Sequence, residues 1–386
     1  MARTVARRVG AGCLAWALGL GVAGAVAHPE SCPAPTRAAA GAAVVAGVAW
    51  LGVNQRPDGR FLYRYDRERQ EVVPGYVVTR HAGTLLALEQ ARALGVPGAG
   101  ATADRGTRWA LDELTSLGAD RAALSDDVGA TALLTAALVE RSHAVRDHRD
   151  DQLLGRLGRF LSGAVAEDGA VTATWDLAAD RPVIDSRSPF TTGEVLWALA
   201  RLHAELPGQG FDGSALRVSR YLATRRDDVE RRFPPVSDHW ASYGFAEMAA
   251  WPGRQAPALT GDDLAYAHRQ AGLFGLQARF ESQRRDHGLV RLTRGERALT
   301  SGIGTVGEGL GGIERLAEAD ARFDVDRGAL DRRLACVASL LVSRQSHGGG
   351  GRVDGAWFRA GVTQVDDQQH AISALIAALP VLEPGS

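Results

Sequence analysis

Side chains capable of acid–base chemistry recur in six short clusters, each at the start of an apolar helical segment. The clusters combine carboxylates with histidines, an arginine, hydroxyl groups and aromatic rings: Arg80–His81, Asp126–Asp127, Thr191–Glu194, Asp238–Tyr243, Thr305–Glu308 and Asp366–His370. Two carboxyl groups, or a carboxyl group with a histidine, can act as general acid and general base when they face one cleft. The pattern therefore indicates proton-transfer chemistry if the fold brings the clusters together.

We predict that the catalytic acids come from these clusters. The candidates are Asp367, Glu194, Asp366, Glu308 and Asp127, with Asp367 and Glu194 as the preferred pair. Acidic residues also cap helix N-termini and complement the helix dipole, so a purely structural role stays open for each of them. Glu194 and Glu308 fit that role less well, because each follows a glycine inside a helix that is otherwise apolar, where a carboxylate needs a partner.

The same clusters and the loops between them supply candidate substrate-binding groups. At the helix starts these are Arg80, His81, His239, Trp240, Tyr243 and His370. In the intervening loops they are Tyr63, Tyr65, Tyr76, Trp175 and Trp357. Aromatic rings beside charged groups suit sugars, which present an apolar face and a polar edge. Strands also favour aromatic residues for structural reasons, so both explanations stay open for the loop aromatics.

Composition excludes several other mechanisms. The chain has 386 residues and a formal net charge of -1, so no charge excess indicates a nucleic-acid partner. All 44 residues counted as Lys+Arg are arginine, which excludes lysine Schiff bases and P-loop phosphate binding. No H-E-x-x-H, EF-hand or paired C-x-x-C motif is present, so we predict neither cofactor nor metal, with a loop-bound calcium ion as the open alternative.

The N-terminal segment has the pattern of a signal peptide. Three arginines precede an apolar run over residues 10–27, and residues 25–27 form an A-x-A cleavage pattern. We therefore expect residues 1–27 to direct export to the cell envelope or the medium. Residues 28–386 are then predicted to form one monomeric domain without a membrane span. An uncleaved N-terminal anchor is the alternative.

Helical patterns of two kinds alternate after residue 36. One kind carries arginine and acidic residues on one face, as expected for outer helices: 37–55, 102–117, 150–165, 212–225, 261–284 and 326–345. The other kind is apolar on several faces, as expected for buried helices: 80–94, 126–141, 191–205, 238–250, 304–319 and 366–379. Six such hairpins bury their inner helices by closing into a ring, so the sequence predicts an all-α toroid.

Long links from outer to inner helices are predicted to lie on one face of this ring. Three of them show strand patterns around a polar turn and are predicted to be β-hairpins: residues 60–78, 170–184 and 289–299. A fourth, residues 347–365, begins with four glycines. Ordered loops gathered on one face of a rigid scaffold usually build the functional site. We therefore expect the site at the mouth of a central funnel.

The alternation resembles the (α/α)6 toroid of the six-hairpin glycosidases, with the toroids of terpenoid cyclases and prenyltransferases as second choice. Residues 36–380 carry the architecture, and residues 55–61, QRPDGRF, are similar to a Q-x-x-x-G-x-F/W turn that follows outer helices in such toroids. The resemblance implies an exported carbohydrate-active enzyme acting on a glycan or small molecule. It would be a glycoside hydrolase, or a related lyase or epimerase, using carboxylate acid–base chemistry.

Two further functions stay open, and with them the question whether the protein is an enzyme. The first is an enzyme like the terpenoid cyclases and prenyltransferases, although the sequence contains no D-x-D-D motif. The second is a toroid that binds a glycan or another ligand without catalysis. Substitution of the acids at the inner-helix starts would separate catalysis from binding, because a scaffold would lose only about 1 kcal/mol per cap.

The ring also predicts one covalent bond. Cys32 lies just before the first outer helix and Cys336 lies on the sixth. These two helices become neighbours when the ring closes, and an exported protein meets an oxidising environment. We therefore expect a disulfide between Cys32 and Cys336.

Overall fold

The computed structural model describes residues 2–26, 32–33, 35–253 and 256–383. These residues form fifteen α-helices: α1 (Ala2–Val26), α2 (Arg37–Val53), α3 (Val78–Ala93), α4 (Ala99–Asp112), α5 (Val128–Val145), α6 (Asp151–Gly163), α7 (Thr191–Glu205), α8 (Phe211–Thr224), α9 (Arg226–Val229), α10 (His239–Ala249), α11 (Gly261–Gln283), α12 (Leu289–Arg294), α13 (Thr300–Ala319), α14 (Arg327–Arg344) and α15 (Val365–Ala378). A short 3-10 helix, Leu379–Val381, follows α15.

Seven short strands lie in the links between the helices. They are β1 (Arg64–Asp66), β2 (Glu71–Val72), β3 (Thr115–Leu117), β4 (Arg121–Ala123), β5 (Trp175–Asp176), β6 (Arg181–Pro182) and β7 (Val362–Gln364), counted over the described residues. All pairings are antiparallel: β1 pairs with both β2 and β7, β3 pairs with β4, and β5 pairs with β6.

The six inner helices form a closed ring. Helix α3 packs against α5, and the contacts continue through α7, α10, α13 and α15 back to α3. The outer layer consists of α2, α4, α6, α8, α11 and α14, which pack against the inner helices. Most positions of α5 and α7 are buried, as their all-round apolar patterns indicate. The predicted all-α toroid of six hairpins is therefore confirmed.

Glycines in α13 allow its inner-ring neighbours to approach closely. A Cβ atom on Gly311 would lie 2.7 Å from the Cβ of Ala377 in α15. A Cβ atom on Gly312 would lie 2.9 Å from the Cβ of Ser242 in α10. Glycine weakens an isolated helix by up to about 1 kcal/mol. That cost is offset here because bulkier side chains would force the ring open at α13.

The links confirm two of the three predicted hairpins. Residues 60–78 contain β1 and β2, and residues 170–184 contain β5 and β6. The prediction for residues 289–299 is wrong, because Leu289–Arg294 forms the short helix α12 between Gly288 and Gly295. Its alternation of Val, Leu and Thr resembles a strand, but no neighbouring strand pairs with it among the described residues. The β3–β4 hairpin was not predicted, and it follows the second outer helix, which ends at Asp112.

The two ends of the ring are joined covalently. Cys32 and Cys336 form a disulfide with a Cα–Cα distance of 4.9 Å, as the closed ring predicted. Close by, the Arg37 side chain donates hydrogen bonds of 3.0 Å to the carbonyl oxygens of Leu379 and Leu382. The first outer helix is thus fastened both to the sixth outer helix and to the C-terminal end of the sixth inner helix.

The apolar N-terminal run, as far as it is described, lies in α1. Within the described residues, no helix combines the length and the hydropathy that crossing a membrane requires. The predicted cleavage point between residues 27 and 28 lies outside the described residues. The signal peptide therefore stays a prediction.

We expect the disulfide to stabilise the closed ring. Its sequence separation of 304 residues means that oxidation strongly constrains the unfolded chain. The double variant Cys32→Ser/Cys336→Ser should lose up to about 5 kcal/mol of unfolding free energy in the chain-entropy model. Urea unfolding measures this loss, with Cys13→Ser as the matched control. Unchanged unfolding in the double variant, together with alkylation of both Cys32 and Cys336 in the unreduced wild-type protein, would contradict the expectation.

Candidate active site

A cavity of about 650 Å³ lies at the end of the ring where the inner helices begin. Its wall takes side chains from the start of every inner helix or the residue just before it: Arg80, Asp127, Glu194, His239, Thr305 and His370. The inner helices run in the same direction through the ring, so their polar first turns converge here. The fold therefore brings all six clusters to one opening.

Two histidines and a glutamate form a buried group in this wall. His370 Nδ1 lies 2.5 Å from Glu308 Oε2, and His239 Nε2 lies 3.8 Å from the same oxygen. The two imidazole ring centroids are 5.3 Å apart, with the rings edge to face. Both histidines line the cavity, whereas Glu308 has no exposed surface.

A glycine in α13 makes this contact possible. A Cβ atom on Gly304 would lie 2.6 Å from the Cβ of His370, so only glycine lets α15 approach α13 this closely. Glu308 follows one helical turn later on the same helix and therefore faces His370. The glycine at position 304 is therefore needed to bring Glu308 next to His370.

The surroundings give the two histidines different charge states. Burial and the charge of His370 hold the pKa of His239 well below its ordinary value of 6.5. Burial also disfavours the charged form of His370, but the carboxylates of Glu308, Asp366 and Asp367 together outweigh this effect, Glu308 most strongly, and raise the pKa of His370 to about 9. Near neutral pH, His239 is therefore an uncharged imidazole and His370 is an imidazolium paired with Glu308.

His239, Glu308 and His370 also have the residue types of a metal site. One ligand atom from each lies within 4.8 Å of the others. Glu308 has no exposed surface and is hydrogen-bonded directly to His370, and a proton shared by the two groups accounts for this contact. The observed arrangement is that of a shared proton, and acid–base chemistry fits it directly.

A second part of the wall carries two carboxyl groups. Burial, assisted by the nearby carboxylates of Asp127 and Asp238, raises the pKa of Glu194 to about 8. Asp127 caps α5 by accepting a hydrogen bond of 3.0 Å from Gly129 N, and its other oxygen accepts one from the Thr79 hydroxyl. A Cβ atom on Gly129 would overlap the Glu194 carboxylate, so glycine is required for the two groups to meet.

The rim beside His370 is held by a charged network. Arg80 Nε lies 3.5 Å from Asp366 Oδ2, and its Nη1 donates hydrogen bonds to the Tyr63 hydroxyl at 2.7 Å and to Gln364 at 2.8 Å. Asp366 Oδ1 lies 3.6 Å from His370 Nε2. Asp366 therefore connects the arginine at the rim to the histidine in the wall.

The preferred acid Asp367 does not line the cavity. It is buried and accepts hydrogen bonds from Ser301 N at 2.8 Å and Gln364 N at 3.0 Å. Its carboxylate completes the capping box of α15 and ties the starts of α13 and α15 together. The pairing of Asp367 with Glu194 as acid and base is therefore replaced by a structural role for Asp367.

His81 and Tyr76 also lie away from the cavity wall. The His81 ring packs between Phe61 and Trp109, its Nδ1 lies 2.6 Å from the Tyr76 hydroxyl, and its Nε2 lies 3.0 Å from Gly106 O. Burial lowers the pKa of His81 to about 4, so it is a neutral core residue. Substrate contact does not fit this position.

Most of the other predicted aromatic residues belong to the scaffold. Four of them are buried and do not line the cavity: Tyr65, Trp175, Tyr243 and Trp357. Their predicted contact with substrate does not fit these positions, and packing within the core accounts for them. Tyr63 is buried as well, but it reaches the rim through its hydrogen bond to Arg80. Trp240 lies in the wall beside His239, with ring centroids 4.2 Å apart.

One side of the wall was missed by sequence reasoning. Helix α11, an outer helix of 23 residues, brings its last turns to the cavity through Gln277, Phe280 and Glu281. Glu281 is buried and pairs with Arg344 at 2.8 Å and Arg284 at 3.1 Å. The unusual length of this helix was the only signal in the sequence, and length alone does not reveal the direction of its final turn.

Neither a protein-family model nor a curated protein sequence matches this chain. Several solved structures match its fold. Cellobiose 2-epimerase from Spirochaeta thermophila DSM 6192 is 13% identical, with a TM-score of 0.60 over 86% of this chain and 92% of that chain. An α-1,6-mannanase of Salegentibacter sp. HEL1_6 is 11% identical, with a TM-score of 0.60 over 89% and 99%.

A type II terpene cyclase from Scytonema is 13% identical, with a TM-score of 0.53 over 90% of this chain and 99% of that chain. Sequence identity at this level shows the fold and nothing finer. The chain therefore has the (α/α)6 toroid fold shared by six-hairpin glycosidase-like enzymes and terpene cyclases, as its sequence predicted.

Proposed function

We propose that this protein is a carbohydrate-active enzyme that moves a proton at the carbon next to a sugar carbonyl, as an epimerase or isomerase does. The observation that supports this function is the pair His239 and His370, which line one cavity with different charge states. Such a reaction needs one group that removes a proton and another that stabilises the oxygen next to the resulting carbanion.

His239 has the properties of the base. Both of its ring nitrogens are buried and have no hydrogen-bond partner among the described residues. Its low pKa keeps the imidazole unprotonated near neutral pH, so a lone pair is free to accept a proton. A buried polar group without a partner costs stability, and a bound substrate would supply the missing contact.

His370 has the properties of the acid. Its Nδ1 is engaged with Glu308, which leaves Nε2 to donate a proton or a hydrogen bond. An imidazolium placed at the carbonyl oxygen would stabilise the enediolate that forms when the carbon loses its proton. Glu308 is then a positioning residue, because it acts on the substrate only through His370.

The remaining wall suits a sugar. The Trp240 ring offers an apolar surface against which the apolar face of a pyranose can stack. Arg80, Asp366 and Glu194 offer polar groups to hydroxyls. A cavity of about 650 Å³ lies within the usual range for small-molecule sites. The match to a cellobiose 2-epimerase supports a scaffold compatible with this chemistry.

Deuterium exchange provides the direct test. We expect the protein, incubated with reducing monosaccharides and β-1,4-linked disaccharides in D2O, to place deuterium on the carbon next to the carbonyl of one of them. His239→Gln and His370→Gln should each slow exchange by about 100-fold or more, since each removes one proton-transfer group. Proton NMR of the sugars measures the exchange. His287→Gln, at an exposed histidine outside the cavity wall, should leave it unchanged.

The pH dependence should reveal the Glu308–His370 pair. Exchange requires protonated His370 and should therefore fall as pH rises through about 9. Glu308→Gln removes the carboxylate that most strongly favours the charged form of His370, so the pKa of His370 should decrease and the loss of exchange should begin at lower pH. Glu318→Gln, on the exposed surface of the same helix, is the control. An alkaline limb that stays in place in Glu308→Gln would assign it to another group.

A second candidate function is glycoside hydrolysis, which Glu194 and Asp127 favour. A carboxyl group held protonated beside a second carboxylate is the arrangement of a glycosidase acid and its partner. The match to an α-1,6-mannanase supports the same scaffold for this chemistry. Asp127, which also caps α5, takes the place of Asp367 as the partner of Glu194, because Asp127 lines the cavity and Asp367 does not.

Glu194→Gln separates the two functions. If Glu194 only binds hydroxyl groups, the substitution should weaken substrate binding by about tenfold or less, the size of one hydrogen bond, and should preserve deuterium exchange. We also expect no new reducing ends when the wild-type protein is incubated with α-1,6-mannan or other glycans. Release of reducing ends that is lost in Glu194→Gln but kept in His239→Gln would establish hydrolysis instead.

A terpenoid cyclase and a non-catalytic binding toroid fit the cavity less well. A cyclase would hold a hydrocarbon substrate, whereas this wall carries two arginines, four carboxyl groups and two histidines. A toroid that only binds ligands does not need an imidazole and an imidazolium side by side.

Export from the cell is part of the same proposal. The Cys32–Cys336 disulfide supports it, because disulfides form and persist in oxidising compartments. The signal-peptide pattern of residues 1–27 supports it independently of the disulfide. An exported enzyme would meet glycans and free sugars of the envelope or the medium.

A further inference from the structure

A second cluster of metal-ligating side chains lies at the other end of the ring. His143 is in the last turn of α5, His148 is in the link to α6, Asp151 begins α6, and Glu205 ends α7. Helix α5 has 18 residues and spans about 27 Å at 1.5 Å per residue, with Asp127 of the cavity wall at its other end. The cluster is therefore separate from the candidate active site.

The other three side chains gather around the Glu205 carboxylate. His143 Nε2 lies 2.7 Å from Glu205 Oε2, and His148 Nδ1 lies 3.2 Å from Glu205 Oε1. His148 Nδ1 also lies 3.7 Å from Asp151 Oδ1. One ligand atom each from His148, Asp151 and Glu205 lies within 4.8 Å of the other two. Arg146, the αL residue that ends α5, turns the chain back so that both histidines face the same carboxylate.

As far as the described residues show, the carboxylates of this cluster pair with histidines and not with arginines. The Glu205 side chain is only 6% exposed, and its Oε1 and the Asp151 Oδ1 are buried atoms without a hydrogen bond. No arginine nitrogen lies within ion-pair distance of Glu205 among the described residues. The charge of Glu205 acts electrostatically on Arg201, but the Arg201 guanidinium pairs with Glu140 at 2.8 Å.

Two other buried acids of this chain pair with arginine instead. Glu281 pairs with Arg344, and Asp238 pairs with Arg226 at 2.5 Å. At Glu205 the neighbours are imidazoles, which provide positive charge only when protonated but offer a lone pair when neutral. A metal ion would use those lone pairs and neutralise the carboxylates at the same time.

We propose that His143, His148, Asp151 and Glu205 form a binding site for a divalent transition-metal ion of the zinc type. Two imidazole nitrogens with two carboxylate oxygens are a ligand set that zinc and cobalt accept, whereas magnesium and calcium prefer oxygen alone. The histidine side chains are 56% and 66% exposed, so an ion can reach them from solvent. The bound ion fastens α5, α6 and α7 at the end opposite the cavity.

Cobalt titration tests the site. The purified full chain is treated with EDTA, dialysed and titrated with Co²⁺, which gives visible absorption bands when bound by nitrogen and oxygen ligands. We expect the wild-type protein to bind one more equivalent than His143→Gln/His148→Gln, and Zn²⁺ to displace it. Zn²⁺ should also raise the melting temperature of the wild-type protein but not that of the double variant. His287→Gln, at an exposed histidine elsewhere, should behave as wild type.

Equal Co²⁺ binding by the wild-type protein and a folded double variant would overturn the proposal, as would the absence of binding in both. Stabilisation by Mg²⁺ or Ca²⁺ equal to that by Zn²⁺ would overturn the choice of a transition metal. Circular dichroism verifies that the double variant is folded. Glu205→Gln keeps both histidines and should weaken Co²⁺ binding at least tenfold, so the proposal can be tested even if the double variant unfolds.

Discussion

Closure of the inner ring is the constraint on which the rest of this structure depends. The inner helices are apolar on nearly all sides, so each needs neighbours on both flanks as well as an outer helix behind it. Because the inner helices run in the same direction, their N-termini meet at one opening. Unpaired N–H groups and the positive ends of six helix dipoles favour carboxylates there. Ring closure thus favours acidic side chains at this opening for structural reasons that do not depend on catalysis.

The helical layers follow from the sequence because periodicity encodes burial directly. The boundaries of Thr191–Glu205 were predicted at both ends, since its apolar run is long and a proline lies two residues outside each end. The short links were harder to predict. Residues 289–294 alternate like a strand yet form α12, because a strand requires a hydrogen-bonding neighbour that local sequence does not specify. The β3–β4 hairpin was not predicted for the same reason, because local sequence does not specify which segments pair as strands.

The sequence predicted where the candidate site lies but not which role each of its residues has. Asp366 and Asp367 are adjacent in sequence, yet one lies in the cavity wall and the other caps α15 from beneath it. Successive residues of a helix point in directions about 100° apart. Which of the two aspartates faces the cavity therefore depends on how α15 is rotated where it packs against α13. The approach of Glu308 to His370 depends likewise on Gly304, whose role is visible only once the two helices touch.

Burial alone does not distinguish an acid from a base in this cavity. It disfavours the charged forms of both histidines and raises the pKa of Glu194, so without further charges these three groups would all tend to be neutral. The carboxylates beside His370 break this symmetry. Glu308, fully buried and hydrogen-bonded to His370, contributes most and is supported by Asp366 and Asp367, and the resulting positive charge further disfavours protonation of His239. The difference between two identical side chains therefore resides in the residues behind them, and a fold that places fixed negative charge on one side of the wall creates an acid–base pair from two imidazoles.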